Sequence, residues 1–232
     1  MRINIGNILV NSSEIARCMF CSSQSECLET IIVRDVYEYL WGNNIDIAFK
    51  TIQLDFLKEM QNGSLQAERY IRFTMQDINY ILNVTDMLKK MSAKESLPAD
   101  LKKFMNDRYS SYKNYSDLIL NQFFFMNEPT IRPTPAMAKY LSSYRNLMKD
   151  DPVYFAVGLL PCERLWGWLS ENLSTPPNSA YYTWKVDNMG GHPEKHYRDL
   201  LNKYLNCPRK VFKAETIFRA QMENEHDFFF SS

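Results

Sequence analysis

Glycine and histidine are scarce in this chain, which has 7 glycines and 3 histidines among its 232 residues. The glycines form neither a Gly-x-Gly-x-x-Gly nor a phosphate-loop pattern, so we expect no nucleotide-binding α/β fold. An excess of charge is also lacking, because 27 basic residues balance 27 acidic ones. A nucleic-acid partner needs a basic footprint, and we therefore expect none.

Long apolar runs are missing as well. No stretch of about eighteen apolar residues occurs, so no membrane span is expected. The short apolar N-terminus is interrupted by Asn4, Gly6 and Asn7 and makes a poor signal peptide. Five cysteines, an odd number, fit a reducing compartment better than a disulfide framework. Together these features predict a cytoplasmic protein.

Alternating strand patterns are absent too, whereas helical spacing of apolar residues recurs from residue 29 onwards. The predicted class is all-α, with eight or so helices in a bundle. Residues 1–28 are interpreted as a weakly ordered N-terminal extension, and residues 29–232 as the helical domain. The helices are expected at about residues 29–40, 45–60, 66–91, 99–126, 136–149, 152–172, 179–187, 194–205 and 209–229.

The most informative segment is Leu159-Leu160-Pro161-Cys162, inside a long apolar run. A proline in a helix interior removes one backbone hydrogen bond and clashes with the carbonyl one turn back, at a cost of ~3 kcal/mol or more. Such a kink exposes carbonyls and re-aims the side chain that follows. Taken alone, the segment favours a bent core helix with a buried thiol.

Other polar residues stand in the predicted helices at places where burial would be costly. Asp77 and Tyr80 are three residues apart and share one helix face. Tyr140, Cys162 and Glu225 lie on three further helices, and all five side chains could converge in a bundle core. Solvated positions for Asp77 and Glu225 remain the alternative, since spacing alone does not exclude them.

The order of these segments resembles the TenA family, known as thiaminase II. The resemblance covers about residues 30 to 230 and implies an all-α, haem-oxygenase-like helical bundle. The matching motifs are Asn62-Gly63-Ser64-Leu65, Gln76-Asp77-x-x-Tyr80, Tyr140 after a proline-rich turn, Leu159-Leu160-Pro161-Cys162, Tyr181-x-x-Trp184, Gly190-Gly191 and Glu225-x-x-Phe228-Phe229.

The resemblance implies hydrolysis of a 4-amino-2-methylpyrimidine that carries a leaving group on its 5-methylene carbon. The leaving group is the thiazolium of thiamine or an amine from thiamine breakdown, so the function belongs to thiamine metabolism and pyrimidine salvage. By resemblance, Cys162 is the nucleophile and Glu225 the general acid. Asp77 would bind the ring amino group or help to deprotonate the thiol.

The resemblance also implies which residues bind the substrate. Tyr80 and Tyr140 would hold or stack on the pyrimidine ring, and Trp166 and Gln76 complete the predicted set. No cofactor is expected, and the partners are a small-molecule substrate and further copies of the chain in a dimer or tetramer.

Three positions depart from the family pattern. Trp166 replaces the tyrosine four residues after the cysteine, Asn188-Met189 stand where a tyrosine precedes the glycine pair, and Leu54-Asp55 replace a His-Pro. Either the substrate or the acceptor differs. An amine or thiol acceptor in place of water would make the chain a base-exchange enzyme of the thiaminase I type, and the sequence leaves this choice open.

Two further functions stay open. A helical di-metal oxidase needs paired Glu-x-x-His motifs, and only Glu223-x-x-His226 is present, while Pro193 separates His192 from His196. Cys18 and Cys21 have zinc spacing, but no second pair follows them. No metal site is therefore predicted. A non-catalytic bundle that keeps a pyrimidine pocket is the remaining alternative.

Overall fold

The computed structural model describes residues 33–123 and 129–232. Within these ranges the chain forms ten helices and no strand, which confirms the all-α class and raises the number of helices above the eight or so expected. The helices are α1 Val36–Gly42, α2 Ile45–Thr51, α3 Asp55–Asn62, α4 Ala67–Ser92, α5 Ala99–Gln122, α6 Pro135–Leu147, α7 Pro152–Asn172, α8 Tyr182–Asn188, α9 Glu194–Tyr204 and α10 Pro208–Phe230.

The helix predicted over residues 45–60 is two helices, α2 and α3. The chain turns at Leu54, whose backbone is extended (φ −62°, ψ 146°) and precedes the first residue of α3. This turn also changes the face that α2 presents. Phe49 of α2 is 58% exposed, whereas Phe56 and Met60 of α3 are fully buried.

Two helix starts are later than predicted. α1 begins at Val36 because the Asp35 carboxylate caps it, accepting a hydrogen bond from the Glu38 amide (3.2 Å). α8 begins at Tyr182, since the Ser179 hydroxyl accepts from the Tyr181 amide (3.2 Å) and makes a turn instead. The predicted extension over residues 1–28, with Cys18, Cys21 and Cys27, lies outside the described residues, as does the predicted helical start at 29–32.

Several predicted helix ends are found in place. Gly63 ends α3 in the left-handed region (φ 72°), where glycine carries no steric penalty. Thr134 and Asp151 cap α6 and α7, and each is followed by a proline in the first turn. α7 continues through Pro161 to Asn172.

α7 and α10 form the centre of the bundle. α10 packs on α7, α6 and α2, and α4 pairs with α5 along its length. Residues 153–161 of α7 are all buried, which explains why this run is apolar on every side. Across the described ranges, none of the helices combines the length and the apolar character that a membrane crossing requires.

Candidate active site

Cys162 sits on α7 directly after Pro161, at a point where the helix backbone is incompletely bonded. Pro161 has no N–H to give to the carbonyl of Val157. The next carbonyl, that of Gly158, accepts a hydrogen bond from the Tyr144 hydroxyl (3.0 Å). Near the proline, this hydrogen bond joins α6 to α7 one turn before the cysteine.

Five polar side chains from four helices meet around this cysteine. We call them the thiol cluster: Tyr80 of α4, Tyr140 and Tyr144 of α6, Cys162 of α7 and Glu225 of α10. Cys162 interacts with both Tyr80 and Glu225, which lie on α4 and α10.

The tyrosines of the thiol cluster connect its remaining members. Tyr140 donates to Glu225 Oε1 (2.5 Å), and the hydroxyls of Tyr80 and Tyr144 are 2.8 Å apart. The three tyrosines and Glu225 are buried, with Glu225 only 1% exposed. The sequence-predicted residues Tyr80, Tyr140, Cys162 and Glu225 are thus brought into one contiguous network.

Trp166 completes the bonding of Glu225. It lies one turn after Cys162, and its indole Nε1 donates to Glu225 Oε2 (3.0 Å). A carboxylate needs donors and not acceptors, so the indole satisfies this position even though it cannot accept a hydrogen bond. The departure from the family pattern at Trp166 therefore leaves Glu225 fully partnered.

Burial controls the protonation of the thiol cluster. It raises the pKa of the Cys162 thiol well above its ordinary value, and the nearby Glu225 charge raises it further. Burial also raises the pKa of Glu225, against the opposing effect of the bonds from Trp166, Tyr140 and Cys162. The free protein thus holds a neutral thiol beside an acid that can accept its proton.

Asp77 is the second buried acid, and it faces open space. Burial, followed by the charge of Glu225, raises the pKa of Asp77 from 3.8 to about 7. Asp77 lines a cavity of about 400 Å³ together with Cys162 and Trp166. Glu225 is not among the lining residues and lies behind Cys162 and Trp166, so Asp77 is the one of these two acids that a ligand in the cavity would contact.

Five segments line this cavity, among them a stripe of four residues on α5 at helical spacing. Its volume and aromatic walls suit a flat ring with one substituent. The lining residues are Asp77, Ile81, Arg108, Ser111, Tyr112, Tyr115, Cys162, Glu163, Trp166, Gly167, Asp187, Asn188, Met189, Gly191, His192, Pro193 and His196.

A second group of polar residues, which sequence reasoning missed, lies around Arg108. We call Arg108, Tyr112, Glu163 and His196 the Arg108 end of the cavity. Glu163 accepts from Arg108 Nη1 (3.1 Å) and from the Tyr197 hydroxyl (2.7 Å). Arg108 Nε and the Tyr112 hydroxyl are buried and have no hydrogen-bond partner among the described residues.

Gln76, a predicted substrate-binding residue, lies away from this cavity. Its amide nitrogen donates to the Arg132 carbonyl (3.1 Å), and its amide oxygen accepts from the Thr134 backbone N–H (3.0 Å). Both of its polar atoms therefore hold the segment that leads into α6. Gln76 lines a separate pocket with Thr134 and the C-terminal serines.

The other departures from the family pattern are also placed. Asn188 and Met189 line the cavity, with the Asn188 side chain donating to the Trp184 carbonyl (2.8 Å). Leu54 and Asp55 lie at the start of α3, where Asp55 pairs with Arg69 (2.8 Å).

The residues of the di-metal alternative are dispersed. Glu223 is exposed and pairs with Arg219 (3.5 Å), and His226 faces Asp227 (3.7 Å). In the part of the chain that the structure describes, no group of three or more His, Cys, Asp or Glu side chains is placed to hold a metal ion.

No protein family model and no curated protein matches the sequence. Solved structures do match the fold, and each is aligned over 84% of this chain. A TenA family transcription regulator from Silicibacter sp. TM1040 is 13% identical, is covered over 94% of its length and gives a TM-score of 0.72.

Two archaeal structures agree with this match. A TenA homologue from P. horikoshii OT3 is 18% identical and is covered over 96% of its length, with a TM-score of 0.66. A TenA homologue from Pyrococcus furiosus is 17% identical and is covered over 98%, with a TM-score of 0.68. The chain therefore has the helical fold of TenA proteins, in agreement with the resemblance drawn from its motifs.

Proposed function

We propose that the protein hydrolyses the bond between the 5-methylene carbon of a 4-amino-2-methylpyrimidine and its leaving nitrogen. The substrate is thiamine or an aminopyrimidine from thiamine breakdown. The observation that carries the proposal is the placement of Cys162, which lines the cavity and lies beside the buried Glu225 carboxylate. A nucleophile in contact with its base, beside an open cavity, is the arrangement that covalent catalysis requires.

In this proposal Glu225 handles the proton of the thiol. Because burial holds the pKa of Cys162 high, the thiol is not a preformed thiolate. Glu225 accepts the proton as the sulfur attacks an electron-poor ring carbon, and it returns that proton to the sulfur when the C–S bond breaks. Tyr140 and Trp166 hold the carboxylate in place from the two sides.

The bond changes balance over two stages. Formation of the C–S bond pushes an electron pair into the ring, and this pair returns to expel the leaving nitrogen with its bonding electrons. Water then adds to the exocyclic methylene, the C–S bond breaks, and the hydroxymethylpyrimidine is released with the thiol regenerated. Asp77, with a pKa of about 7, is suited to hydrogen-bond the ring amino group from the cavity side.

A nucleophilic thiol works only while it is reduced. Cys162 and Cys207 are both free cysteines. On this ground we propose a cytoplasmic location. Assembly into a dimer or tetramer stays a prediction.

The proposal is tested by incubating the purified protein with thiamine or with 5-aminomethyl-4-amino-2-methylpyrimidine and identifying the pyrimidine product by mass. Hydroxymethylpyrimidine is expected from at least one substrate. A parallel incubation with pyridine distinguishes base exchange, which would yield a pyridinium conjugate. If the parent protein forms neither product while a Cys162→Ser protein binds the pyrimidine equally well, the chain is a binding protein and the proposal is wrong.

A further inference from the structure

The Arg108 end contains two buried donors that the protein itself leaves unused. Arg108 Nε and the Tyr112 hydroxyl have no partner among the described residues, although both residues are buried, at 9% and 7% exposed. Both residues line the cavity. An unpaired buried donor is unfavourable, because it has lost its bond to water, and a ligand atom that accepts from it would restore a bond.

Different charged groups surround the two ends of the α5 stripe that lines the cavity. Arg108 and Tyr115 are seven residues apart on α5, or about 10 Å along its axis. Tyr115 interacts electrostatically with Asp77 and Asp187, whereas Arg108 interacts with Glu163 and Tyr197. Tyr112 lies between them and interacts with Cys162. A pyrimidine that contacts Asp77 and Cys162 would therefore direct its 5-substituent towards the Arg108 end.

The unused donors at the Arg108 end favour a ligand group that accepts hydrogen bonds. Glu163 pairs with Arg108 through Nη1 and Oε2, and Arg108 Nε takes no part in this pair. His192 and His196 stand at the exposed rim of this end. A cationic heterocycle in the same place would lie against the guanidinium without an acceptor for either unused donor.

We propose that the Arg108 end is a subsite for an oxyanion, either a carboxylate or a phosphate ester, carried by the leaving group of the substrate. This inference rests on the proposed function, and it deepens it by selecting an anionic breakdown product over the thiazolium of thiamine. Arg108 Nε and the Tyr112 hydroxyl would donate to the anion, and Glu163 would position Arg108.

The first test compares ligands that differ only in charge. The aminomethylpyrimidine is joined to glycine in one ligand and to glycinamide in the other, and their Kd values are measured by calorimetry on the Cys162→Ser protein. A charge-assisted hydrogen bond is expected to make the glycine conjugate bind about 10- to 100-fold more tightly. A second pair, an ethanolamine conjugate and its phosphate ester, tells a carboxylate subsite from a phosphate one.

The second test removes one donor without a structural loss. Tyr112→Phe takes away a hydroxyl that has no partner in the free protein, so the anion preference should fall by about 3- to 10-fold. Tyr109→Phe, on the same helix and outside the cavity lining, is the matched control and should keep the full preference. Equal affinity for the charged and neutral ligands, or a preference that Tyr112→Phe leaves unchanged, would overturn the proposal.

Failure of the proposed function gives a different result. If no pyrimidine binds at all, that function fails, and inorganic phosphate then decides the subsite by itself. Phosphate that raises the Tm of the parent and of Tyr109→Phe, but raises that of Tyr112→Phe much less, supports an anion site. The absence of any such difference ends the inference. Preference for the anionic conjugate without turnover would leave the subsite standing and remove only the catalytic proposal.

Discussion

The thiol cluster and the Arg108 end both adjoin Cys162, but they differ in whether their polar atoms have hydrogen-bond partners. Around Cys162, every hydroxyl and both carboxylate oxygens of Glu225 have protein partners, from Tyr140, Trp166 and the Tyr80–Tyr144 pair. At the Arg108 end, only Glu163 is fully bonded, and two buried donors are left without partners.

This difference separates two tasks of a binding site. A bonded network holds its groups in one geometry before any ligand arrives, which is what proton transfer to and from a nucleophile requires. Unused donors add affinity only when a ligand supplies the acceptor, so they determine ligand specificity. Changes in the thiol cluster should therefore affect turnover, and changes at the Arg108 end should affect selection.

The largest effect is expected from Cys162→Ser. A hydroxyl is a far weaker nucleophile than a thiol near neutral pH, and turnover should fall about 10⁴-fold or more while the fold is kept. The measurement is product formation, with helicity by circular dichroism as the check on folding. Cys207→Ser is the matched control, because this other free cysteine is exposed and should be replaceable without loss. Retained activity in Cys162→Ser would end the covalent proposal.

Glu225→Gln should act mainly on kcat. The amide keeps the size of the side chain but cannot carry the transferred proton, so kcat is expected to fall about 10²- to 10⁴-fold. Binding of the pyrimidine product should change much less. Glu223→Gln serves as the control, since Glu223 is an exposed acid on the same helix. Activity within a few-fold of the parent would leave Asp77 as the acid at the site.

The sequence could predict the thiol cluster because its members carry local signals. A cysteine after a mid-helix proline at Cys162 and an acid among phenylalanines at Glu225 both stand out in their own segments. Outside the cluster, Asp77 stands out in the same way, as an acid in an apolar helix. Tyr144 was missed, although its place four residues after Tyr140 puts both on one helix face. The TenA-like fold was likewise foreseeable from the motif order.

The Arg108 end could not be predicted in the same way. Nothing along α5 shows that the face with Arg108 and Tyr112 turns towards α7, because helix packing decides that. Gln76 was wrongly assigned to the site because it is adjacent to Asp77 in the sequence. Gln76 directly precedes Asp77 in the same motif, but adjacent residues of a helix point about 100° apart. Gln76 therefore reaches the segment before α6 instead of the cavity.

Asp77→Asn should change how stability depends on pH. Between about pH 4 and pH 7 the unfolded chain has lost the Asp77 proton while the folded chain keeps it, because the folded pKa is about 7. The free energy of unfolding of the parent should therefore fall as pH rises through this window, by roughly 2–4 kcal/mol from this residue, and then level off. Denaturation at several pH values should show a flatter profile for Asp77→Asn.

Asp187→Asn is the control for this pH series. Asp187 also lines the cavity but is exposed, so Asp187→Asn should keep the slope of the parent. Parallel profiles for the parent and Asp77→Asn would mean that Asp77 is ionised in the folded state well below pH 7. Asp77 would then differ little from a solvated acid, and its role opposite the pyrimidine amino group would lose its support.

The smallest expected effects are the changes in stability on replacing two tyrosines, Tyr144 of the thiol cluster and Tyr112 of the Arg108 end. Tyr144→Phe leaves the Gly158 carbonyl without its donor and takes a partner from Tyr80, so the free energy of unfolding should fall by about 1–3 kcal/mol. Tyr112→Phe removes a hydroxyl that has no partner, so stability should stay the same or rise by up to about 1 kcal/mol. Chemical denaturation with unchanged m-values measures both changes. Equal losses in the two variants would mean that the Tyr112 hydroxyl is bonded in solution, and the contrast between a bonded cluster and an open subsite would then disappear.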